Sequence, residues 1–205
     1  MNSFDTICHE HLEYYALAAL ERLFNDYHLE VLDVHLNDMN GGSFRLVVGH
    51  AGRHQIKPEW NERVKELRIS EFELALDTDA PYATFRDHIE TIRKDLQSFL
   101  RKAKADGKLV HGYGASTKGS ITLQYCGVNS DLVPAIADRN PRKWGQYTIG
   151  THIKIISEEE SRRAKPDYYL VLLWHFLPEF KTREVDFLKR GGRFLVPSPT
   201  VRLGG

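Results

Sequence analysis

Apolar residues along this chain recur at two periods, and the chain changes character where the period changes. From Leu12 to Phe24 the spacing is helical. Leu17, Leu20, Leu23 and Phe24 share one face, with Glu21 and Arg22 outside it. Leu29 to Leu36 alternates with period two, which predicts a strand, and Ser43 to Val48 predicts a second. Asn40-Gly41-Gly42 lies between them as a turn signal. The pair reads as an antiparallel ribbon at the end of a larger sheet. Two strands alone are marginal in water, so the ribbon is expected to pack on something else. Gly52 to about Asp79 is polar and mixed, with short helical stretches. A long helix should follow, capped by Asp79 with Pro81 in its first turn. It carries Phe85, Ile89, Ile92, Leu96 and Leu100 at helical spacing and ends at Asp106-Gly107.

Beyond Gly107, strand and helix patterns alternate. Strands are expected at Leu109–Tyr113, Leu132–Ala137, Tyr168–Leu173 and Arg193–Val196. Helices are expected from Ala115 to about Tyr125, at Ser157–Arg163 and at Phe180–Leu188. Ser157 followed by Glu160 is a capping box, and Gly191-Gly192 stops the last helix. The apolar run Tyr168–Leu173 suits a strand buried on both faces. Such alternation argues for an α/β class with a parallel sheet, a small Rossmann-like domain.

Composition narrows the functions open to the chain. Its 205 residues hold one ordinary domain and part of another. Lys plus Arg equals Asp plus Glu, 28 each, so no global field recruits nucleic acid or an anionic membrane. No apolar run approaches the roughly 18 residues of a bilayer span. The start, Met1 to Asp5, has neither the basic nor the apolar region of a signal peptide. Two cysteines, Cys8 and Cys126, cannot make a zinc site on their own, so no metal is expected in this chain. A cytoplasmic location is the default expectation.

Three groups of residues could carry chemistry. His9-Glu10-His11, with Tyr14 and Tyr15 behind it, could supply an imidazole base supported by a carboxylate. It could equally be a solvated helix start in which Glu10 favours the helix dipole. Its His-x-His spacing is not the zincin pair. Gly112 to Gly119 spans a strand-to-helix turn whose helix N-terminus suits a phosphate, with Ser116, Thr117 and Lys118 as further donors. No Gly-Lys-Ser/Thr closes it, so it is not a Walker A loop. Asp138, at the end of the next strand, stands about where a ribose-binding acid sits in a dinucleotide fold. A tight turn without a ligand is the alternative. Arg139, Thr151-His152 and Trp174-His175 lie in loops read as following strands, and all three loops are expected to face one crevice at the strands' carboxyl ends. Trp174 and Phe176 serve equally well as core, and His175 as a surface histidine.

The stretch Phe4-Asp5-Thr6-Ile7-Cys8-His9-Glu10-His11-Leu12-Glu13-Tyr14-Tyr15 resembles the Tyr-His-Glu-His-x-x-Tyr segment of S-adenosylmethionine-dependent sugar C-methyltransferases. Gly41-Gly42-Ser43, Gly114 to Gly119, Tyr125-Cys126-Gly127 and Asp138-Arg139-Asn140-Pro141 match as well. So do Gly150-Thr151-His152-Ile153, Trp174-His175-Phe176 and Gly191-Gly192. The matches come in the family's order and cover nearly the whole chain.

The resemblance implies the C-terminal part of such an enzyme. Residues 1–51 would be the tail of a class I methyltransferase domain, a helix plus the antiparallel strand pair. Residues 52–106 would be a linker and connecting helix, and 107–205 the Rossmann-like C-terminal domain. The implied chemistry is deprotonation beside the ketone of a nucleotide-linked 4-keto-deoxysugar, then attack of the enolate on the donor's methyl group. His11 would be the base and Glu10 its polar partner. Gly114, Ala115, Ser116, Thr117, Lys118 and Asp138 would hold the nucleotide part, with Arg139, Thr151, His152, Trp174 and His175 around it. Cys8 stands where the family has tyrosine, and the family's zinc cysteines and donor-binding glycine loop have no counterpart. S-adenosylmethionine is therefore expected to bind outside these residues, with a separate donor- and zinc-binding polypeptide as one partner that could hold it. A stand-alone nucleotide-sugar-binding module is the alternative. A small nicotinamide oxidoreductase is a third reading, weakened by the absent third glycine.

Overall fold

The computed structural model describes residues 3–38 and 42–204. Asn40 and Gly41, part of the expected turn and of the Gly-Gly-Ser match, lie outside the described residues. The described residues divide into two compact units, one within residues 11–87 and one of residues 3–10 with 88–204.

In the first unit, helix α1 (Leu17–Asp26) is followed by strands β1 (Leu29–Asn37) and β2 (Ser43–His50), then helix α2 (Pro58–Glu73). β1 and β2 pair antiparallel, as their alternation predicts. Leu17, Val31, Val34 and Val64 form the core between ribbon and helices. Three differences from the sequence pattern have physical causes. The α1 helix starts at Leu17 rather than Leu12, and its first amides are capped from another element. Glu71 of α2 accepts from the N–H groups of Leu17 at 2.6 Å and Ala18 at 3.1 Å. Second, α2 is a continuous helix of 16 residues where short stretches were expected. Few of its positions are apolar, so periodicity is weak, and Pro58 in the first turn opens it. Third, the alternation of β1 breaks at a register shift between Val31 and Asp33, and Asp33 is buried in mid-strand. Arg63 grips its carboxylate through two hydrogen bonds, at 2.9 and 2.7 Å. That grip, together with the Val34 N–H, outweighs burial and holds the Asp33 carboxyl below the usual range.

Helix α3 (Ala80–Ala105) contains the division between the units, which falls after Asp87. Within the second unit it buries Ile92, Leu96, Leu100 and Ala103. Gly107, in the left-handed region at φ 68°, ends it as expected. There follow β3 (Val110–Tyr113), α4 (Thr117–Tyr125), β4 (Ala135–Asp138), β5 (Lys154–Ser157), α5 (Glu158–Ala164) and β6 (Tyr168–Val171). Helices α6 (Leu177–Arg183) and α7 (Val185–Lys189) and strands β7 (Arg193–Val196) and β8 (Arg202–Gly204) complete the unit. The sheet has six strands in the order β5-β4-β3-β6-β7-β8. Its first five are parallel and β8 pairs antiparallel at the edge. The α/β reading with a parallel sheet is what the fold is. Tyr113, Tyr169, Phe187 and Phe194 stack edge-on and tilted over one face of the sheet.

Two short strands, β5 and β8, escape the sequence pattern, and two predicted elements differ in extent. β4 begins at Ala135 rather than Leu132 because Asn129 takes the intervening amides into a turn. Its backbone carbonyl accepts from Leu132 and Val133, and its side chain accepts from Asp131. The expected helix Phe180–Leu188 is two helices joined at Glu184, whose side chain turns into the interior.

Candidate functional site

The order of the parallel strands reverses direction between β3 and β6: β4 and β5 extend the sheet one way, β6 and β7 the other. In open α/β sheets the ligand crevice at such a switch point lies outside the carboxyl ends of the strands. The loops that leave those ends carry Gly114–Ser116, Arg139–Asn140 and Leu172–Phe176.

The glycine loop turns tightly because Gly114 adopts φ 85°, and a side chain there would also press on Leu173 at 3.0 Å. A Cβ at Gly119 would meet Leu172 at 2.8 Å, so the loop after β3 and the residues after β6 pack without spare room. Ser116 caps α4, its hydroxyl accepting from the Gly119 N–H at 3.0 Å. The cap therefore consumes one of the N–H groups at the helix end.

Asp138 is buried, and its carboxylate is engaged inside the protein. One oxygen accepts from the Ala115 N–H at 2.8 Å and from Lys143 Nζ at 3.3 Å, and the other from the Asn140 N–H at 2.8 Å. Lys143 also donates to the Ala115 carbonyl at 2.7 Å. Asp138 thus ties the loop after β4 to the loop after β3, and it fixes the path of residues 114–116. Arg139 is exposed and lies 3.5 Å from Glu179.

Trp174, His175 and Phe176 form one 3-10 turn after β6. His175 sits edge-on to Trp174 and tilted on Phe176. Partial burial and the Lys118 charge lower its pKa, while Asp5 acts in the opposite sense. Asp5, in the 3-10 turn Phe4–Thr6, accepts from the Trp174 indole N–H at 3.1 Å.

Thr151 and His152 stand elsewhere, which corrects the expectation that the three loops share one crevice. They lead directly into β5, and Lys154 at its start pairs with Ala135 at the start of β4. They lie at the amino end of the sheet, opposite the glycine loop. Thr151 bonds Thr148 at 2.6 Å within that turn, and Gln124 of α4 holds the adjacent Ile149 carbonyl at 2.8 Å. β5 has no pattern of its own in the sequence, and without that strand the loop reads as following β4 alone.

A cavity of about 290 Å³ opens at the carboxyl ends of β3 and β4, lined in part by Tyr113, Gly114, Asp138, Arg139 and Phe176. Arg183, Glu158, Tyr113 and Glu184 form a network beside it, with Arg183 donating to Glu158 at 2.6 Å and Tyr113 to Glu184 at 2.7 Å. Sequence reading missed this network; its members come from β3, α5, α6 and the joint between α6 and α7, with no shared motif.

In the first unit, His11 is exposed and stands edge-on to Tyr14, ring centroids 6.5 Å apart. Tyr14 and Tyr15 line an open cleft of about 1140 Å³ together with Leu36, Asp38 and Phe44. His9 and Glu10, also exposed, belong to the second unit, and none of the three lies on a helix. Among the described residues no group of three or more His, Cys, Asp or Glu could hold a metal ion. No helix among the described residues is long and apolar enough to cross a membrane.

Residues 38–199 match the family described as the C-methyltransferase C-terminal domain. This chain belongs to that family. A C-methyltransferase, NovU of Streptomyces niveus, is 38% identical to it over 203 residues, 98% of this chain and 47% of NovU. The chain thus spans about half the length of that relative. Among the family-like motifs, the glycine loop and the Asp138 and Trp174 segments meet at one end of the sheet, and the Gly150-Thr151-His152 segment lies at the other.

Proposed function

We propose that this C-methyltransferase C-terminal domain serves methylation of a nucleotide-linked keto-sugar, with S-adenosylmethionine as the methyl donor bound by residues outside this stretch. The observation that carries the reading is the match to NovU across 98% of the chain. The domain plan proposed with it is a methyltransferase tail in residues 1–51, a linker and connecting helix in 52–106 and the Rossmann-like domain in 107–205.

His11 is assigned as the base that removes the proton beside the ketone, with Glu10 as its polar partner. Tyr14 and Tyr15, which line the large cleft of the first unit, support this by giving His11 a neighbouring cleft for a sugar. The α4 N-terminus with Ser116, Thr117 and Lys118 is assigned to the diphosphate, where helix-end amides and a lysine favour negative charge. Asp138 holds the loop that does this. Trp174 and His175 border the same crevice.

A test independent of the methyl donor is solvent exchange. A 4-keto-deoxysugar nucleotide in D₂O should gain deuterium beside the ketone in the presence of this chain. His11→Asn should slow the gain by about 10²–10⁴-fold. Equal exchange in wild type and variant would remove His11 from the chemistry. Tight binding with no exchange in either would favour a nucleotide-sugar-binding module without catalysis.

A further inference from the structure

Glu71 holds the start of α1 from outside the helix. Its two carboxylate oxygens accept from the N–H groups of Leu17 at 2.6 Å and Ala18 at 3.1 Å. A carboxylate is favoured at a helix N-terminus by the helix dipole and by the strength of charge-assisted hydrogen bonds. The residue before the helix is Ala16, which makes no side-chain cap, and alanine is among the poorest residues at that position. The boundary of α1 therefore rests on a residue 54 positions away.

The residues before Leu17 carry no signal that stops a helix. Leu12-Glu13-Tyr14-Tyr15-Ala16 contains neither glycine nor proline, and leucine, glutamate and alanine are strong helix formers. In a helix continued backward, the Leu17 and Ala18 N–H groups would donate to the carbonyls of Glu13 and Tyr14, four residues earlier. Those are the two donors that Glu71 occupies. The Glu71 carboxylate and the backward continuation of α1 thus compete for the same N–H groups. In this structure Glu71 has them, and residues 11–16 lie outside any helix or strand.

The boundary decides the wall of the first unit's cleft. Tyr14 and Tyr15 line that cleft just before α1, and Leu74 and Leu76 line it just after α2. Glu71 lies in the last turn of α2, so one carboxylate ties both walls together. A helix through residues 12–16 would set Tyr14 and Tyr15 about 100° apart on its surface and re-aim both. It would also shorten the path from α1 to His11, because a helix advances about 1.5 Å per residue and extended chain about 3.3 Å.

We propose that Glu71 is a positioning residue for the proton abstraction assigned to His11. By ending α1 at Leu17 it keeps residues 11–16 out of the helix, so that Tyr14 and Tyr15 stay on the cleft wall and His11 stays beside them. This rests on the His11 reading proposed above. It adds a residue that touches neither the sugar nor the base and acts only through the helix boundary.

Backbone carbon chemical shifts and the D₂O exchange of a 4-keto-deoxysugar nucleotide, measured on the same variants, test it. In Glu71→Ala the shifts of residues 13–16 should move toward helical values. Exchange should slow by about 2- to 30-fold, the equilibrium factor carried by one lost helix cap. Glu71→Gln keeps one acceptor oxygen and should fall between wild type and Glu71→Ala, which also guards against a variant that fails to fold. Adding Ala16→Pro to Glu71→Ala should restore both readouts, because proline blocks the backward helix and holds Tyr15 in extended backbone. A purely structural loss would not be rescued in this way. If the shifts of residues 13–16 do not move in Glu71→Ala, the proposal is overturned and the His11 reading stands. If they move while exchange keeps its wild-type rate, the positioning role is overturned although the boundary is confirmed. If wild type shows no exchange, the His11 reading fails and takes the positioning role with it.

Discussion

The carboxylate of Asp5 accepts a hydrogen bond from the indole N–H of Trp174 at 3.1 Å, joining residues 169 positions apart in sequence. Asp5 is only 2% exposed, and its second oxygen, Oδ1, has no hydrogen-bond partner among the described residues. A buried carboxylate is costly to keep without donors, so the contact with Trp174 is one that the fold depends on. It also brings a negative charge to His175, the neighbour of Trp174.

Two substitutions separate these roles. Asp5→Asn keeps an oxygen for the indole and removes the charge. The His175 pKa, already below the usual value, should fall further, because Asp5 is the group that raises it. Asp5→Ala also removes the acceptor, and should cost about 1–3 kcal/mol of stability and shift the Trp174 indole resonance. Imidazole and indole NMR signals followed through a pH titration check both. A His175 titration unchanged in Asp5→Asn would show that the charge is not felt there.

Glu184, 2% exposed, accepts a hydrogen bond from the Tyr113 hydroxyl at 2.7 Å and is forked by Arg162 at 2.6 and 3.1 Å. Burial and the Glu184 carboxylate both drive the Tyr113 phenol up, and Glu184 drives the Arg162 guanidinium up, so the tyrosine stays neutral and the arginine charged. Tyr113→Phe should cost about 1 kcal/mol in urea unfolding, since Arg162 continues to satisfy the acid. Glu184→Gln should cost about 1–3 kcal/mol, moderated because Arg162 is partly exposed to solvent. The double variant should lose less than the sum of the two, as groups in one network do.

His111 is 4% exposed on β3, with Nδ1 2.8 Å from the Ser161 hydroxyl. Burial pushes its pKa from 6.5 down to about 4. The folded state therefore binds this proton less readily than the unfolded chain. Its contribution to stability is complete above pH 6.5 and is lost as pH falls toward about 4. Within that window this one group costs up to about 1.4 kcal/mol per pH unit. Urea midpoints measured from pH 7.5 downward should show the decline, and His111→Gln should flatten it. A parallel decline in both proteins would assign the acid sensitivity to other groups.

Local signals in the sequence carried much of the second unit. Ser157 caps α5 through the Glu160 N–H at 3.0 Å, as its spacing predicts, and Ser116 caps α4. Gly107 ends α3, and the buried runs at β3, β6 and β7 read as strands. Each of these depends on residues within a few positions of one another, or on an apolar pattern long enough to count. β5 was illegible because Lys154-Ile155-Ile156-Ser157 holds only two adjacent apolar residues, neither an alternation nor an apolar run. Missing it also put Thr151 and His152 at the wrong end of the sheet.

The sequence by itself determined the α/β class, the long helix, the parallel alternation and the family, because these rest on periodicity and on motifs contiguous in the chain. Tertiary structure alone decided where α1 begins, since its cap is Glu71, and what Asp138 does, since its partners are the amides of Ala115 and Asn140 and Lys143 Nζ. It also decided that Asp5 reaches Trp174 and that Glu184 turns inward to Tyr113 and Arg162. A carboxylate's role is set by whichever donors folding brings within hydrogen-bond distance. In this protein those donors lie up to 169 residues away, beyond the reach of any local pattern.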